Sequence, residues 1–191
     1  MGLVLLTPPA APLVTLAEAM LHLRVDGADE STLIEGLVAA ATAQAEAYTR
    51  RRFVTQSWRL TLDRFPASAI VLPFPPLATV EAVRYIDADF ALQVVDPGAY
   101  VVRPYETPGE IVPARGTTWP SAADEPDAVQ VEFTCGYGAP DAVPEAIRRA
   151  VLLLVGTLYA NRETVAPVAM QQIPQTAEWL LGPYRVMRFA A

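Results

Sequence analysis

The stretch Ser57-Trp-Arg-Leu-Thr-Leu-Asp63 decides how this chain of 191 residues is organised. Its apolar side chains, Trp58, Leu60 and Leu62, alternate strictly with polar ones, which is the period of a strand with one buried face. Before residue 56 the apolar side chains instead recur at the three- and four-residue spacing of a helix. This change of period predicts an α+β protein in which a β segment interrupts a helical chain.

The β segment, residues 57–134, carries further short strands separated by prolines. Val129, Val131 and Phe133 alternate with polar residues and predict a second clear strand. Proline cannot donate a hydrogen bond to a neighbouring strand, so the prolines mark edges and turns of a small antiparallel sheet or partial barrel. The other predicted strands are Ile70–Leu72, Val80–Ile86, Leu92–Val95, Tyr100–Val102 and Ile111–Val112.

Two helices are predicted before the β segment. Thr15 and Glu18 have the spacing of a capping box at the start of the first helix, and Gly27 marks its end. Asp29 or Ser31 could cap the second helix, which should be about 20 residues or roughly 30 Å long. The positive charges of residues 50–52 complement the helix dipole at its C-terminus.

A third helix is predicted from Pro144 to near Asn161, with a favourable ion pair between Glu145 and Arg149. Residues 150–155 are apolar on all sides, which predicts burial on more than one side. Residues 164–177 carry no charge and two prolines, which predicts an extended arm. One helical turn follows over residues 178–181 and stops at Gly182.

These elements predict a helical bundle with an inserted antiparallel β module and an extended C-terminal arm. Residues 1–55 and 141–163 form the predicted helical core, residues 56–140 the inserted β module, and residues 164–191 the arm.

The composition excludes several classes of function. The formal charge of −7 disfavours nucleic-acid binding by the chain as a whole, since affinity for phosphate comes from basic patches. A single cysteine, Cys135, rules out an internal disulfide, and with one histidine, His22, it removes most metal chemistry. No apolar run reaches the roughly 18–20 residues that span a bilayer, so no membrane partner is expected. The apolar N-terminus lacks a basic region, which predicts a cytosolic product without a signal peptide.

No catalytic, cofactor or metal site is predicted. A nucleophile–base pair would need Cys135 beside His22, but the two residues fall in different structural parts. Gly136-Tyr-Gly138 lacks the third glycine and the βαβ context of a dinucleotide fingerprint, so it indicates a turn. The aspartates at 87, 89 and 96 lie in or beside predicted turns and do not have the spacing of a calcium loop.

Two segments remain as candidate partner-binding sites. All fourteen basic residues are arginine, which suits interfaces, although codon bias in a GC-rich genome explains the same pattern. Arg50, Arg51 and Arg52 either close a helix without a ligand or dock onto phosphate or an acidic partner. The C-terminal segment either folds back on the core of the chain or docks into a partner's groove. Its candidate contact residues are Trp179, Leu180, Leu181, Tyr184, Arg185, Arg188 and Phe189.

Three stretches give the chain a resemblance to a known family. They are residues 47–58 (AYTRRRFVTQSW), residues 137–147 (YGAPDAVPEAI) and residues 180–185 (LLGPYR). In these stretches and in its organisation the chain resembles the head–tail connectors of tailed phages, also called adaptor or head-completion proteins, and those of phage-like gene transfer agents. The β segment is longer than in the smallest members of that family.

The resemblance implies a non-enzymatic virion protein, made in the bacterial cytoplasm. It implies a ring, typically of twelve subunits, between the capsid portal and the tail or stopper protein of the neck. DNA would pass through the ring without specific binding, and an acidic wall would favour passage. The arm would reach toward the portal. A tail-completion or tail-terminator protein is the alternative, and a hydrolase working with scattered Asp and Glu is a remote one.

Overall fold

The computed structural model describes residues 1–161 and 174–187, and these form two compact units. The sheet unit consists of Met1–Ala10 and Thr55–Tyr137. The helical unit consists of Ala11–Val54 and the described residues from Gly138 onward. The predicted mixed α+β class is confirmed, since helices and antiparallel sheets are both present.

The sheet unit contains two antiparallel sheets. The five-stranded sheet has the order β1-β2-β8-β4-β5, and the three-stranded sheet has the order β3-β7-β6. The strands are β1 (Gly2–Thr7), β2 (Gln56–Leu62), β3 (Ile70–Val71), β4 (Leu77–Ile86), β5 (Leu92–Val94), β6 (Tyr100–Arg103), β7 (Glu110–Pro113) and β8 (Val129–Cys135).

The two alternating stretches pair with each other at the centre of the larger sheet. Leu60 of β2 lies opposite Val131 of β8, and both side chains are fully buried. Ile70 of β3 and Ile111 of β7 belong to the same apolar cluster, so the core holds side chains from both sheets. Alternation predicted these strands because one face of each is buried in that core.

Strand β1 is absent from the sequence-based prediction, which assigned residues 1–55 to the helical core. The structure pairs β1 with β2, for example Leu3 with Leu60, and places Met1–Ala10 in the sheet unit. The run from Leu3 to Leu6 is apolar without alternation and is at least 37% exposed throughout. Such a run carries no period-2 signal, so only the pairing with β2 identifies it as a strand.

The helical unit contains α1 (Leu16–Leu23), α2 (Ser31–Thr49), α3 (Glu145–Ala160) and α4 (Gln175–Leu181). The capping box of Thr15 and Glu18 is confirmed in both directions. Helix α1 ends at Arg24, whose φ of 57° is left-handed, three residues before the predicted stop at Gly27. Neither Asp29 nor Ser31 caps α2, because Glu30 occupies the N-cap position without a side-chain hydrogen bond.

Helix α3 forms the centre of the helical unit. Ile147, Ala150, Val151 and Val155 are fully buried and lie on one face of the helix. Leu152 lies outside that face and is 9% exposed, so burial extends to more than one side, as predicted. Arg148 pairs with Glu18 of α1, so the capping box is itself held to α3. Hydrogen bonds from Thr15 and the charge of Arg148 lower the pKa of Glu18 despite an opposing effect of burial.

The C-terminal segment differs from the predicted arm where the structure describes it. Helix α4 begins at Gln175, three residues before the predicted turn, and it buries Ala177 and Leu181. Residues 164–173, which make up most of the predicted extended stretch, lie outside the described residues. None of the helices within residues 1–161 and 174–187 is long and apolar enough to cross a membrane.

Candidate partner interface on helix α4

Helix α4 presents one buried and one exposed face. Leu181 is 0% exposed, whereas Trp179 is 68% exposed. Two residues along an α-helix correspond to about 200° of rotation, so these side chains point to opposite sides. An exposed indole is unusual on a subunit surface, and tryptophan is enriched among the residues that dominate protein–protein interfaces.

An aromatic and charged cluster joins α4 to α2 beside this face. The Tyr48 hydroxyl donates to Glu178 Oε1 at 3.1 Å, and the Arg185 guanidinium lies 5.0 Å from the centre of the Tyr48 ring. Burial and the hydrogen bond to Glu178 raise the pKa of Tyr48. A phenol is protonated at neutral pH, so Tyr48 donates this hydrogen bond there.

The residues after α4 lie across the C-terminal end of α2. Arg51 Nε donates to the carbonyl oxygen of Tyr184 at 2.5 Å, and the Val186 amide donates to the carbonyl oxygen of Thr49 at 3.0 Å. The last carbonyls of a helix have no partner inside the helix. The C-terminal segment therefore supplies one of the missing donors while Val186 is buried.

The three consecutive arginines differ in exposure and in their contacts. Arg50 is exposed at the end of α2, and its backbone has a left-handed conformation with φ of 57°. Arg51 holds Tyr184, and Arg52 lies 3.5 Å from Glu46. The side chain of Glu46 also accepts from the Phe53 amide at 2.9 Å, and burial raises its pKa. Of the three predicted contact residues, Arg50 alone is left exposed.

The predicted contact residues around α4 also differ in how exposed they are. Trp179 and Arg185 are exposed, Leu180 and Tyr184 are half-buried, and Leu181 is buried inside the unit. Leu181 is therefore a core residue and cannot meet a partner directly. Arg188 and Phe189 lie outside the described residues. Met187, which sequence reasoning missed, is 65% exposed. We call Trp179, Leu180, Tyr184, Arg185 and Met187 the α4 surface.

The other sequence candidates have structural explanations. Cys135 is fully buried, and its thiol lies 3.7 Å from the Gln56 carbonyl oxygen. The Asp87 carboxylate accepts from the amides of Asp89 and Ala91, and Asp96 caps a turn through the Gly98 amide. Gly136 and Gly138 both have positive φ, as turns require. Within residues 1–161 and 174–187, no group of three His, Cys, Asp or Glu side chains is arranged to hold a metal.

No protein-family model matches the sequence, and the curated proteins contain no match. Solved structures do match over the whole chain. A chain from the neck of an empty gene transfer agent particle, computed with C6 symmetry, is 26% identical with a TM-score of 0.83. A chain from the virion of a native gene transfer agent particle is 28% identical with a TM-score of 0.81. A chain from the neck of a native particle, computed with C12 symmetry, is 25% identical with a TM-score of 0.75.

Each of these matches covers 100% of this chain and 98% of the other chain. The chain therefore has the fold of a neck protein of a gene transfer agent. The resemblance to the head–tail connectors of such phage-like particles, predicted from three short stretches, is confirmed over the full length.

Proposed function

We propose that this chain is a structural protein of the neck of a phage-like particle, where copies of it form a homo-oligomeric ring between head and tail. The observation that carries the proposal is the whole-length similarity to a neck chain, with a TM-score of 0.83. The C6 and C12 symmetries of the matched necks support a ring. Surfaces, rather than a reactive group, perform this function.

The α4 surface is the proposed contact with the portal protein. It combines an exposed indole, a thioether at Met187 and the Arg185 guanidinium within one short segment. Aromatic, methionine and arginine side chains are the types enriched at interfaces. Arg50 adds a further cation at the adjoining end of α2. The tail or stopper protein of the neck is the proposed partner on the other side of the ring.

Point substitutions test this contact better than truncation does. Removing residues 164–191 would also remove Ala177, Leu181 and Val186, which are buried in the helical unit. Trp179→Ala combined with Met187→Ser changes only exposed side chains. Tyr105→Ala is the matched control, because Tyr105 is 76% exposed in the sheet unit.

The expected result is a folded Trp179→Ala, Met187→Ser variant that yields filled heads without tails, while Tyr105→Ala yields complete particles. Head and tail fractions separated on a gradient, with electron microscopy, measure the outcome. Wild-type particle yield from the double variant would refute the α4 contact. Absence of the wild-type chain from purified particles would refute the neck function itself.

Cross-linking distinguishes the connector from the tail-completion or tail-terminator alternative. A photoreactive residue at position 179 should label the portal protein in assembled particles. Labelling of the tail tube protein instead would support the tail-completion or tail-terminator assignment.

We also propose that DNA passes through the ring without binding to it. The net charge of −7 per chain, repeated around a ring, weakens phosphate contacts that would retard passage. The assembled ring should show no tight DNA binding at low salt, and tight binding would contradict this role.

A further inference from the structure

The two edge strands of the five-stranded sheet, β1 and β5, both carry exposed apolar side chains. Strand β1 exposes Val4 at 52% and Leu5 at 42%, and strand β5 exposes Leu92 at 59% and Val94 at 63%. Exposed apolar side chains that lie next to one another mark interaction sites on soluble proteins. Edge strands normally carry charges or prolines that prevent pairing, but Gly2–Thr7 and Leu92–Val94 contain neither.

The register places Val4 of β1 and Val94 of β5 on the same face of the sheet, whereas Leu5 points to the other face. Val4 lies opposite Arg59, and Val94 lies opposite Arg84. Both arginines pair with Glu132 on β8 at 2.6 Å, on the face opposite the buried core. The outer face is therefore a polar centre flanked by an apolar side chain at each edge.

The two edge strands also run in the same direction. Successive strands of the sheet β1-β2-β8-β4-β5 are antiparallel, so β1 and β5 are parallel to each other. Across the sheet, Gly2 of β1 pairs with Thr61 of β2, and Thr61 pairs with Gln130 of β8. Gln130 pairs with Arg84 of β4, which pairs with Val94 of β5, so Gly2 and Val94 lie in the same row. The two strands thus run in the same direction, and β5 ends in the row in which β1 begins.

We propose that β5 of one copy packs against β1 of the next copy around the ring, which rests on the proposed ring assembly. A cyclic ring needs a heterologous contact, made by two different patches of each subunit. The opposite edges of a single sheet are two such patches held in a fixed geometry. Rotation about the ring axis keeps the same end of each sheet uppermost, so β5 and the neighbouring β1 meet in parallel.

The occupant is a second copy of the chain because the C6 and C12 symmetries of the matched necks support a ring, in which each copy contacts the next one through two different patches. A standard interface buries about 800 Å² on each partner, so this contact is one part of the ring interface and not all of it. Addition of a strand to a sheet edge supplies main-chain hydrogen bonds, and the alternate side chains supply the apolar contact.

A pair of cysteines tests the contact in assembled particles. Val4→Cys with Val94→Cys places one thiol at each edge on the outer face, and native Cys135 is fully buried and protected. Treatment of purified particles with a short bis-maleimide should produce a ladder of covalent multimers of the chain. Each single-cysteine variant should remain monomeric on the gel.

The three-stranded sheet provides the matched control. Val71 on β3 and Val101 on β6 are 47% and 48% exposed at the two edges of that sheet. Val71→Cys with Val101→Cys should give no ladder. A ladder from the Val71, Val101 pair but not from the Val4, Val94 pair would overturn the proposal. Dimers from the single variant Val4→Cys would also overturn it, because they indicate an isologous contact. Cross-links from either edge to a different protein would overturn it as well.

A second variant removes the dependence on cross-linking geometry. Leu92→Asp with Val94→Asp places carboxylates where the apolar contact forms, which should lower the chain's abundance in particles at least about tenfold. Wild-type abundance would overturn the edge contact while leaving the neck function intact. Thermal unfolding of the purified variant should match that of the wild type, because both positions are exposed.

Discussion

Arg51 Nε donates a 2.5 Å hydrogen bond to the carbonyl oxygen of Tyr184, 133 residues away in the sequence. This bond fixes the chain immediately after α4 to the end of α2. The α4 surface consequently has a defined position on the helical unit, as a docking site requires.

Replacing Arg51 should loosen that attachment. Arg51→Ala removes a hydrogen bond from a charged donor, so we expect a loss of about 1.5–3 kcal/mol in the free energy of unfolding. Arg50→Ala is the control because Arg50 is exposed, and its cost should stay within about 0.5 kcal/mol. Urea denaturation measures both, and equal effects of the two substitutions would contradict the assigned roles.

The two faces of α4 should separate stability from assembly. Leu181→Ala creates a cavity in the helical unit and should cost about 2–4 kcal/mol of stability. Trp179→Ala should leave stability within about 0.5 kcal/mol of wild type, since the indole is mostly in solvent. Thermal melts measure stability, and particle yield measures assembly. A larger loss of stability in Trp179→Ala than in Leu181→Ala would contradict the assignment of the two faces.

Glu132 should make the sheet unit sensitive to acid. Hydrogen bonds from Arg84 and Arg59 lower its pKa below the ordinary 4.5. A lowered pKa adds stability above the unfolded value, and that stability is lost as the pH falls through the folded value. Glu132→Gln should therefore cost about 1 kcal/mol at pH 7, with the difference shrinking toward pH 3.

The pKa of Glu46 is shifted in the opposite direction from that of Glu132. Burial raises its pKa, so its ionisation opposes folding as the pH rises through the window above 4.5. The stability of Glu46→Gln relative to wild type should rise with pH over that window. Parallel pH profiles for the Glu46 and Glu132 variants would show that one of these electrostatic assignments is wrong.

Two glycines should respond to alanine in opposite directions. A Cβ at Gly109 would lie 2.8 Å from Leu77 Cβ and Cδ2, so Gly109→Ala should destabilise the sheet unit by about 1–3 kcal/mol. A Cβ at Gly36 meets nothing within 4 Å, and Gly36 lies inside α2. Gly36→Ala should stabilise the protein by about 0.5–1 kcal/mol through helix propensity. Melting temperatures that shift in the same direction would refute this reading of the packing.

The sequence predicted the elements whose signals are local. The alternation around Leu60 and Val131 predicted β2 and β8, and Thr15 with Glu18 predicted the start of α1. These elements can be predicted because the buried face of a strand and the cap of a helix depend on residues only two or three positions apart in the sequence. The resemblance to connectors likewise followed from short stretches of sequence.

The candidate interface was predicted only in part. The sequence pointed to the C-terminal segment and to Trp179, but it also included Leu181 and omitted Met187. Two adjacent apolar residues on a short helix look alike in a sequence, and the face that meets the rest of the unit is set by residues of α2 and α3. The three arginines were grouped because they are adjacent, although in the structure Arg51 donates to Tyr184, Arg52 lies beside Glu46 and Arg50 is exposed.

What the sequence by itself determined is the α+β organisation, the period of the central strands and the likeness to neck proteins. Only the tertiary structure decided that Gly2–Thr7 is an edge strand, that Leu181 is buried and that Arg51 holds Tyr184. Each of these depends on a contact between residues far apart in the chain, and such contacts form only when the whole chain has folded.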